Sequence, residues 1–155
     1  MTNIKILVLD VDGTLTDGKI YVSSQGEIMK AFNVKDGLGI RKLQPKGIIP
    51  VIITGRNSEI VSIRAEELGI SEIYQGIEDK LTILDKICMK YNCNYKAVAY
   101  IGDDENDLAC MNVCGIKGCP SDAVESVKNI ADIVCKTCGG NGAVREFIEY
   151  LIHQH

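Results

Sequence analysis

The sequence predicts an α/β fold in which a mainly parallel sheet is covered by helices on both faces, a Rossmann-like arrangement. Short apolar runs alternate with segments of helical period along almost the whole 155-residue chain, a pattern typical of βαβ units. Three of these runs end abruptly in polar residues, as parallel strands do at the sheet edge where ligands bind. Because 46% of the residues are apolar, we expect one core and a single domain over residues 1–155.

The first predicted strand, residues 4–10, is apolar at nearly every position, as expected of a strand that is buried on both faces. It leads directly into the stretch Asp10-Val11-Asp12-Gly13-Thr14. Side chains alternate in direction along a strand, so Asp10 and Asp12 should point to the same side. Gly13 allows a sharp turn, and the N–H groups around that turn can face an anion.

A β-hairpin is predicted near residues 19–32, because two β-prone segments flank the turn-rich residues 23–26. Isolated hairpins are marginally stable, so we expect this one to pack on the parent domain or on another subunit. A short helix through Leu38, Ile40 and Leu43 follows and is closed by Pro45 and Gly47.

The rest of the chain continues the alternation of strands and helices. Strands are predicted over residues 48–53, 72–75, 97–101, 113–116 and 131–134, and helices over residues 58–68, 78–91, 122–128 and from about 143 to 152. Pro50 is unusual for a central strand. The strand at 48–53 ends at Thr54, the strand at 97–101 ends at Gly102-Asp103-Asp104, and Lys80 lies near the start of the helix between them.

Composition excludes several classes of protein. A net charge of −4 and a pI near 5.2 argue against a nucleic-acid binder, which usually carries a basic face. There is neither a signal-peptide pattern nor an apolar run of about 20 residues, so we expect a cytoplasmic protein that does not bind membranes. Seven cysteines, at positions 88, 93, 110, 114, 119, 135 and 138, are expected to stay reduced. A zinc site or redox pair at the C-x-x-C of residues 135–138 is disfavoured, because no second ligand pair accompanies it.

If the strand ends share one edge, Asp10, Asp103 and their acidic neighbours must lie close together. Two unit charges 4 Å apart repel by roughly 4 kcal/mol at an effective dielectric of 20, so a cation is required. Oxygen-only ligands favour Mg²⁺. We assign Asp10, Asp103 and the backbone carbonyl of Asp12 as metal ligands, with Asp104 or Asp107 in the outer shell.

The same group of residues can transfer a phosphoryl group. The second oxygen of Asp10 is free to attack phosphorus and to form an aspartyl-phosphate. Asp12 can protonate the departing alkoxide and later activate water. The Thr54 hydroxyl and the Lys80 ammonium can hold phosphoryl oxygens. We therefore predict Asp10, Asp12, Thr54 and Lys80 as catalytic residues.

The motifs Asp10-x-Asp12-Gly-Thr, Thr54-Gly-Arg56, Lys80 and Gly102-Asp-Asp-x-x-Asp107 resemble those of the haloacid dehalogenase superfamily of phosphohydrolases. Residues 32–41, 53–56, 74–76 and 139–146 further resemble its capless phosphatases of 3-deoxy-D-manno-octulosonate 8-phosphate. This resemblance implies Mg²⁺, no cap domain, and a homotetramer in which the hairpin and neighbouring subunits complete each active site. Asn141 departs from the family, which usually has an arginine there.

By the same resemblance, the substrate is a small phosphorylated sugar acid, and its phosphate contacts Asp12 and Lys80. Arginine forks bind carboxylates in bidentate fashion, which suits the acid group of such a substrate. The residues expected to contact the sugar acid, some of them from a neighbouring subunit, are Asn33, Val34, Lys35, Asp36, Gly37, Arg41, Arg56 and Arg64.

Three alternatives remain open. A phosphatase of nine-carbon, sialic-acid-type ulosonate 9-phosphates would share the scaffold, but an acidic residue can occur there at the position of Arg56. A phosphoacceptor signalling domain also uses Asp, Thr, Lys and Mg²⁺, but it lacks a second carboxylate two residues after the nucleophile, so Asp12 favours the phosphatase. A catalytically idle subunit of a sugar-activating enzyme is not supported by the loss of any motif residue.

Overall fold

The computed structural model describes residues 3–154, so residues 1, 2 and 155 of the expected domain lie outside the described residues. The strands are β1 Ile6–Leu9, β2 Tyr21–Ser23, β3 Gly26–Met29, β4 Ile49–Ile53, β5 Glu72–Tyr74, β6 Val98–Ile101, β7 Ile116–Cys119 and β8 Ile133–Val134. The helices are α1 Val34–Arg41, α2 Glu59–Leu68, α3 Lys80–Lys90, α4 Leu108–Val113, α5 Glu125–Lys128 and α6 Ala143–Gln154. Within residues 3–154, no helix is long and apolar enough to cross a bilayer.

Six strands form one sheet in the order β5-β4-β1-β6-β7-β8, and every neighbouring pair in it is parallel. Strand β1 lies in the middle, between β4 and β6. The chain builds outwards from β1 first through β4 and β5 and then, on the other side, through β6, β7 and β8, so the strand order reverses beside β1. The predicted parallel sheet is confirmed, and β2 and β3 form the separate antiparallel hairpin that the sequence predicts.

Helices cover both faces of the sheet, as expected. Helices α1, α2 and α6 pack in one apolar core with Leu7 and Leu9 of β1. Helices α3, α4 and α5 pack in the other core with Ile6 and Val8. Alternate residues of β1 thus point to opposite cores, which explains why this strand is apolar throughout.

Pro50 lies inside β4, opposite Leu7 of β1. The N–H of the preceding residue, Ile49, bonds to the carbonyl of Lys5 on the β1 side. The backbone N–H and C=O groups of successive residues in a parallel strand point alternately to the two neighbouring strands. Because the Ile49 N–H points to β1, the nitrogen of Pro50 points to the β5 side. Pairing with β5 begins only at Val51. The proline therefore costs the sheet no hydrogen bond.

Two predicted elements are wrong in position. Residues 113–116 are not a strand, because Val113 ends helix α4 and strand β7 begins at Ile116. Gly118 disfavours a strand locally, so the sequence pattern did not indicate β7. The fold requires this glycine, because a β carbon at position 118 would lie 2.6 Å from the Phe147 ring.

Helix α1 begins at Val34, capped by Asn33, rather than near Leu38. Gly37 and Gly39 disfavour a helix locally. Close packing explains them, because β carbons at these positions would lie 2.7 Å from the Arg64 guanidinium and 2.9 Å from Arg145.

Candidate active site

The predicted catalytic carboxylates meet at the carboxyl ends of β1 and β6, the adjacent strands at which the strand order reverses. Open α/β sheets bind ligands at this position. Asp10 follows β1 and Asp103 follows β6. Asp10, Asp103 and Asp107 each place one carboxylate oxygen within 4.8 Å of the others. The fold thus brings together acidic residues from two segments that are distant in sequence.

Asp107 organises the loop after β6. Its Oδ1 accepts hydrogen bonds from the Lys80 ammonium at 2.8 Å and from the Tyr100 hydroxyl at 2.6 Å. Its Oδ2 accepts the backbone N–H groups of Asp103 at 3.0 Å and Asp104 at 3.3 Å. The fully buried Asp107 is therefore saturated with donors, and it fixes the backbone that carries Asp103.

Lys80 is the first residue of α3, which Asp79 caps. Its ammonium is buried and lies 2.8 Å from Asp10 Oδ1 and 2.8 Å from Asp107 Oδ1. Burial opposes the charge, but the carboxylates of Asp10 and Asp107 outweigh it and raise the pKa of Lys80 above its usual value. Lys80 is therefore a permanent cation between two carboxylates, and it holds one oxygen of Asp10 in place.

The acidic cluster carries more negative charge than Lys80 neutralises. Burial and then the charge of Asp107 raise the pKa of Asp10 well above its usual value. Burial raises the pKa of Asp103 to about 6. With all three carboxylates ionised, the cluster and Lys80 have a formal charge of −2. The oxygen-only donor set and this charge fit a hard divalent cation.

The loop after β1 lies against the acidic cluster. The Thr14 hydroxyl donates to Asp103 Oδ1 at 3.1 Å, and the carbonyl of Thr14 accepts from the N–H of Gly140 at 3.2 Å. A β carbon at Gly139 would lie 1.9 Å from the carbonyl oxygen of Gly13. The glycine-rich segment before α6 therefore supports the turn that follows Asp10.

Thr54 lies buried at the end of β4, as predicted. Its backbone N–H bonds to the carbonyl of Tyr74 at 2.9 Å, and its carbonyl accepts from Ile77 at 3.1 Å. Because β4 pairs with β1 in parallel, Thr54 lies at the same sheet edge as Asp10. The next residue, Gly55, approaches Asn106 of the loop after β6.

The sequence reasoning missed two residues of the site. Lys30, from the hairpin, donates to Asp12 Oδ1 at 2.6 Å. Nothing local distinguishes Lys30 from an exposed lysine, so only the folded position of the hairpin identifies it. Tyr100 was identifiable, because a tyrosine in a fully buried strand needs a partner for its hydroxyl.

The expected sugar-acid residues lie around α1 and α2. Asn33 caps α1, the Lys35 carbonyl accepts from Arg145, and Arg56 is exposed near Glu27. Asp36 is buried, and its Oδ1 accepts the Arg145 N–H of α6 at 2.8 Å. A surface pocket between α1 and α2 is lined by Val34, Gly37, Leu38, Arg41, Arg64 and Leu68.

That pocket contains none of the clustered carboxylates of Asp10, Asp103 and Asp107. The Arg41 guanidinium donates to the carbonyl of Glu67, and Arg64 pairs with the carboxylate of the same residue at 3.2 Å. Within one chain, the pocket that holds Arg41 and Arg64 is thus separate from the cluster at Asp10.

All seven cysteines are free thiols. Burial raises the pKa of Cys110 and of Cys135 to about 12, so these two thiols are poor nucleophiles. Within residues 3–154, the one group of three or more possible metal ligands is the carboxylate cluster, which contains no cysteine.

The chain is similar to known phosphatases over nearly its whole length. A model of the haloacid dehalogenase-like hydrolase family matches residues 57–148. The 3-deoxy-D-manno-octulosonate 8-phosphate phosphatase of Yersinia pestis is 43% identical over 150 residues, which cover 97% of this chain and 80% of that protein. The phosphatase of the same name from Escherichia coli K12 has the same identity and coverage.

Solved structures agree with this similarity. The Yersinia pestis phosphatase has a TM-score of 0.95 at 42% identity, covering 98% of this chain and 82% of that chain. The Moraxella catarrhalis phosphatase, solved with a magnesium ion, a phosphate ion and a KDO molecule, has a TM-score of 0.94 at 44% identity, covering 98% and 87%. The cobalt-bound Haemophilus influenzae phosphatase has a TM-score of 0.94 at 38% identity, covering 98% and 89%.

Proposed function

The chain belongs to the haloacid dehalogenase-like hydrolases and is a phosphatase, and on this premise we propose that it hydrolyses 3-deoxy-D-manno-octulosonate 8-phosphate with Mg²⁺ through an aspartyl-phosphate. The products are the free sugar acid and phosphate. The observation that carries this proposal is the identity of 43% to phosphatases of that substrate over 97% of the chain. The acidic cluster at Asp10, which has a geometry suited to phosphoryl transfer, supports it.

Asp10 is the nucleophile in the proposed reaction. Lys80 binds its Oδ1 at 2.8 Å, which leaves Oδ2 to attack phosphorus in line with the leaving oxygen. The new bond joins Asp10 Oδ2 to phosphorus, and the bond from phosphorus to the sugar oxygen breaks. Asp12 gives its proton to that oxygen, so the sugar acid leaves as a neutral alcohol at this position.

The second step regenerates the enzyme. Asp12, now ionised, takes a proton from a water molecule, which attacks phosphorus and breaks its bond to Asp10. Phosphate leaves, and Asp12 again carries the proton. The Lys80 ammonium and the Thr54 hydroxyl bind phosphoryl oxygens in both steps, where electrostatic stabilisation supplies most of the catalysis.

Asp10, Asp103 and the backbone carbonyl of Asp12 would hold Mg²⁺. When bound, the ion would neutralise charge on the phosphoryl group and on the carboxylates. Asp107 suits the outer shell better than Asp104, because it binds the Lys80 ammonium and the backbone N–H of Asp103, whereas Asp104 is exposed and accepts from the N–H of Glu105.

We also propose that residues 1–155 form one domain and that four copies assemble into a homotetramer. Four apolar side chains of the hairpin region are exposed: Ile20, Val22, Ile28 and Met29. Contact with a neighbouring subunit would bury them. It would also bring the pocket at Arg41 and Arg64 of one subunit towards the catalytic carboxylates of another, where the arginines can bind the sugar carboxylate.

Steady-state kinetics test the substrate. Phosphate release is measured with 3-deoxy-D-manno-octulosonate 8-phosphate and with a nine-carbon ulosonate 9-phosphate, each with and without EDTA. We expect the higher kcat/KM for the eight-carbon ester, because Arg56 takes the place of the acidic residue that can occur in nine-carbon phosphatases. A higher kcat/KM for the nine-carbon ester would overturn the substrate assignment and leave the phosphatase chemistry intact.

A further inference from the structure

A partly buried ion pair connects the hairpin to the proposed acid/base residue. The Lys30 ammonium lies 2.6 Å from Asp12 Oδ1 and 2.9 Å from Glu27 Oε1. The Lys30 side chain is only 2% exposed, although the neighbouring hairpin residues Ile28 and Met29 are exposed. A lysine that is buried between two carboxylates is held in one position, unlike a surface lysine.

The contact chain continues to the next loop of the site. The second oxygen of Glu27, Oε2, accepts the Ser58 hydroxyl, and Ser58 precedes the first turn of α2. A continuous series of contacts therefore joins the loop after β1, the hairpin and the loop after β4, and it runs through Asp12, Lys30, Glu27 and Ser58. Burial raises the pKa of Glu27, but the hydrogen bonds from Ser58 and Lys30, the charge of Lys30 and the smaller effect of Arg56 in that last loop outweigh it, so the pKa is lowered.

We propose that Lys30 is a positioning residue for the phosphatase reaction. It fixes Oδ1 of Asp12 so that Oδ2 faces the leaving oxygen and later the attacking water, and Glu27 fixes Lys30 in turn. The Asp12 side chain is itself partly exposed, so without this contact its carboxyl group can turn away from the reacting atoms. A misplacement of about 1 Å can cost about 100-fold in rate. The inference rests on the proposed acid/base role of Asp12.

The test is the dependence of rate on the leaving group. Wild type and Lys30→Met are compared on a series of substituted phenyl phosphates of similar shape, because kcat/KM includes every step up to departure of the phenol. A poorly placed acid slows basic leaving groups most. We expect Lys30→Met to lose roughly 10- to 100-fold on the most basic phenol and little on the most acidic one, so that the Brønsted slope steepens.

Two variants serve as controls. Lys19→Met removes an exposed lysine of the same hairpin region, one that contacts Asp17 only at 3.8 Å, and it should leave the slope unchanged. Lys30→Arg keeps a cation within reach of Asp12, so its Brønsted slope should lie between those of Lys30→Met and wild type. On the sugar phosphate itself, Lys30→Met should lower kcat rather than raise KM.

The outcomes separate the two proposals. An equal loss on all phenyl phosphates, an unchanged rate, or a rise in KM alone would each overturn the role of Lys30. Asp12→Asn is measured on the same series. If Asp12→Asn steepens the slope and Lys30→Met does not, then only the inference about Lys30 fails. If Asp12→Asn leaves the slope unchanged, the acid role of Asp12 fails and the role of Lys30 fails with it.

Discussion

Gly13 and Asp103 lie so close together that no side chain fits between them: a β carbon at Gly13 would lie 2.0 Å from Asp103 Oδ2. The two residues follow the adjacent strands β1 and β6. The backbone of Gly13 also has a φ of 91°, which residues with side chains rarely adopt. Position 13 thus requires glycine both for the turn after Asp10 and for the approach of the Asp103 carboxylate.

Gly13→Ala should therefore separate the loop from Asp103 and lower kcat by at least about 100-fold. Gly47→Ala is the matched control, because Gly47 has a φ of 73° but no atom within 4 Å of the added β carbon. The control should cost about 1 kcal/mol of stability and retain its rate. Equal rates for the two variants, measured as phosphate release, would show that the contact with Asp103 does not matter.

Asp12→Asn should slow both chemical steps, because the amide can neither protonate the leaving oxygen nor accept a proton from water. The expected loss is about 10²- to 10⁴-fold. Rapid-quench measurement of the first turnover and of the following steady state distinguishes the two steps. Undiminished phosphate release would remove the acid/base assignment, and Asp17→Asn, at an exposed aspartate, is the control for a general effect of lost charge.

Metal removal should abolish turnover and lower stability. Mg²⁺ that binds only the folded state stabilises it by about 2.7 kcal/mol at 100 times its dissociation constant. We expect Mg²⁺ to raise the Tm of the EDTA-treated wild type. In Asp103→Asn, which lacks a proposed ligand, Mg²⁺ should leave the Tm nearly unchanged. An equal rise of Tm in both proteins, measured by calorimetry, would place the ion elsewhere.

Asp36→Asn should stabilise the protein at high pH. Burial raises the pKa of Asp36 to about 6, and its Oδ2 is the one buried side-chain polar atom within residues 3–154 that lacks a hydrogen-bond partner. The folded state therefore binds the proton more tightly than the unfolded state, so folding becomes less favourable as pH rises from about 4 to about 6. The asparagine carries no charge, while its Oδ1 can still accept from Arg145.

The expected gain is roughly 1–2 kcal/mol at about pH 8, and it should shrink as the pH falls towards 4. Urea unfolding of wild type and Asp36→Asn at several pH values measures it. Asp17→Asn, at an exposed site, should show no such trend. A constant difference across the pH range would mean that the charge of Asp36 is not the cause.

The position of the candidate active site could be predicted because parallel strands share one edge for their carboxyl ends. This rule brought together Asp10 and Asp103, which follow adjacent strands, and it placed Thr54 at the same edge. Lys30 could not be predicted in this way, since the hairpin is joined to the site through tertiary contacts that leave no local pattern. Tyr100 could have been predicted from the need of its buried hydroxyl for a partner.

The two elements whose positions were wrongly predicted, β7 and α1, were missed for a related physical reason. Gly118 of β7 and Gly37 of α1 are poor residues for their elements when judged locally. Both are required by a neighbouring side chain, Phe147 in the first case and Arg64 in the second. Tertiary packing thus overrides local preference at these positions. The apolar pattern of β1, in contrast, already reflects its burial between two cores.

The stereochemical course at phosphorus tests the covalent mechanism most directly. A substrate whose phosphoryl group is made chiral with oxygen isotopes and sulfur is hydrolysed in isotopically labelled water, and the configuration of the released thiophosphate is determined. Attack by Asp10 followed by attack of water gives two in-line displacements, each with inversion, so we predict net retention. Net inversion would mean that water attacks the substrate directly, and it would contradict the assignment of Asp10 as the nucleophile.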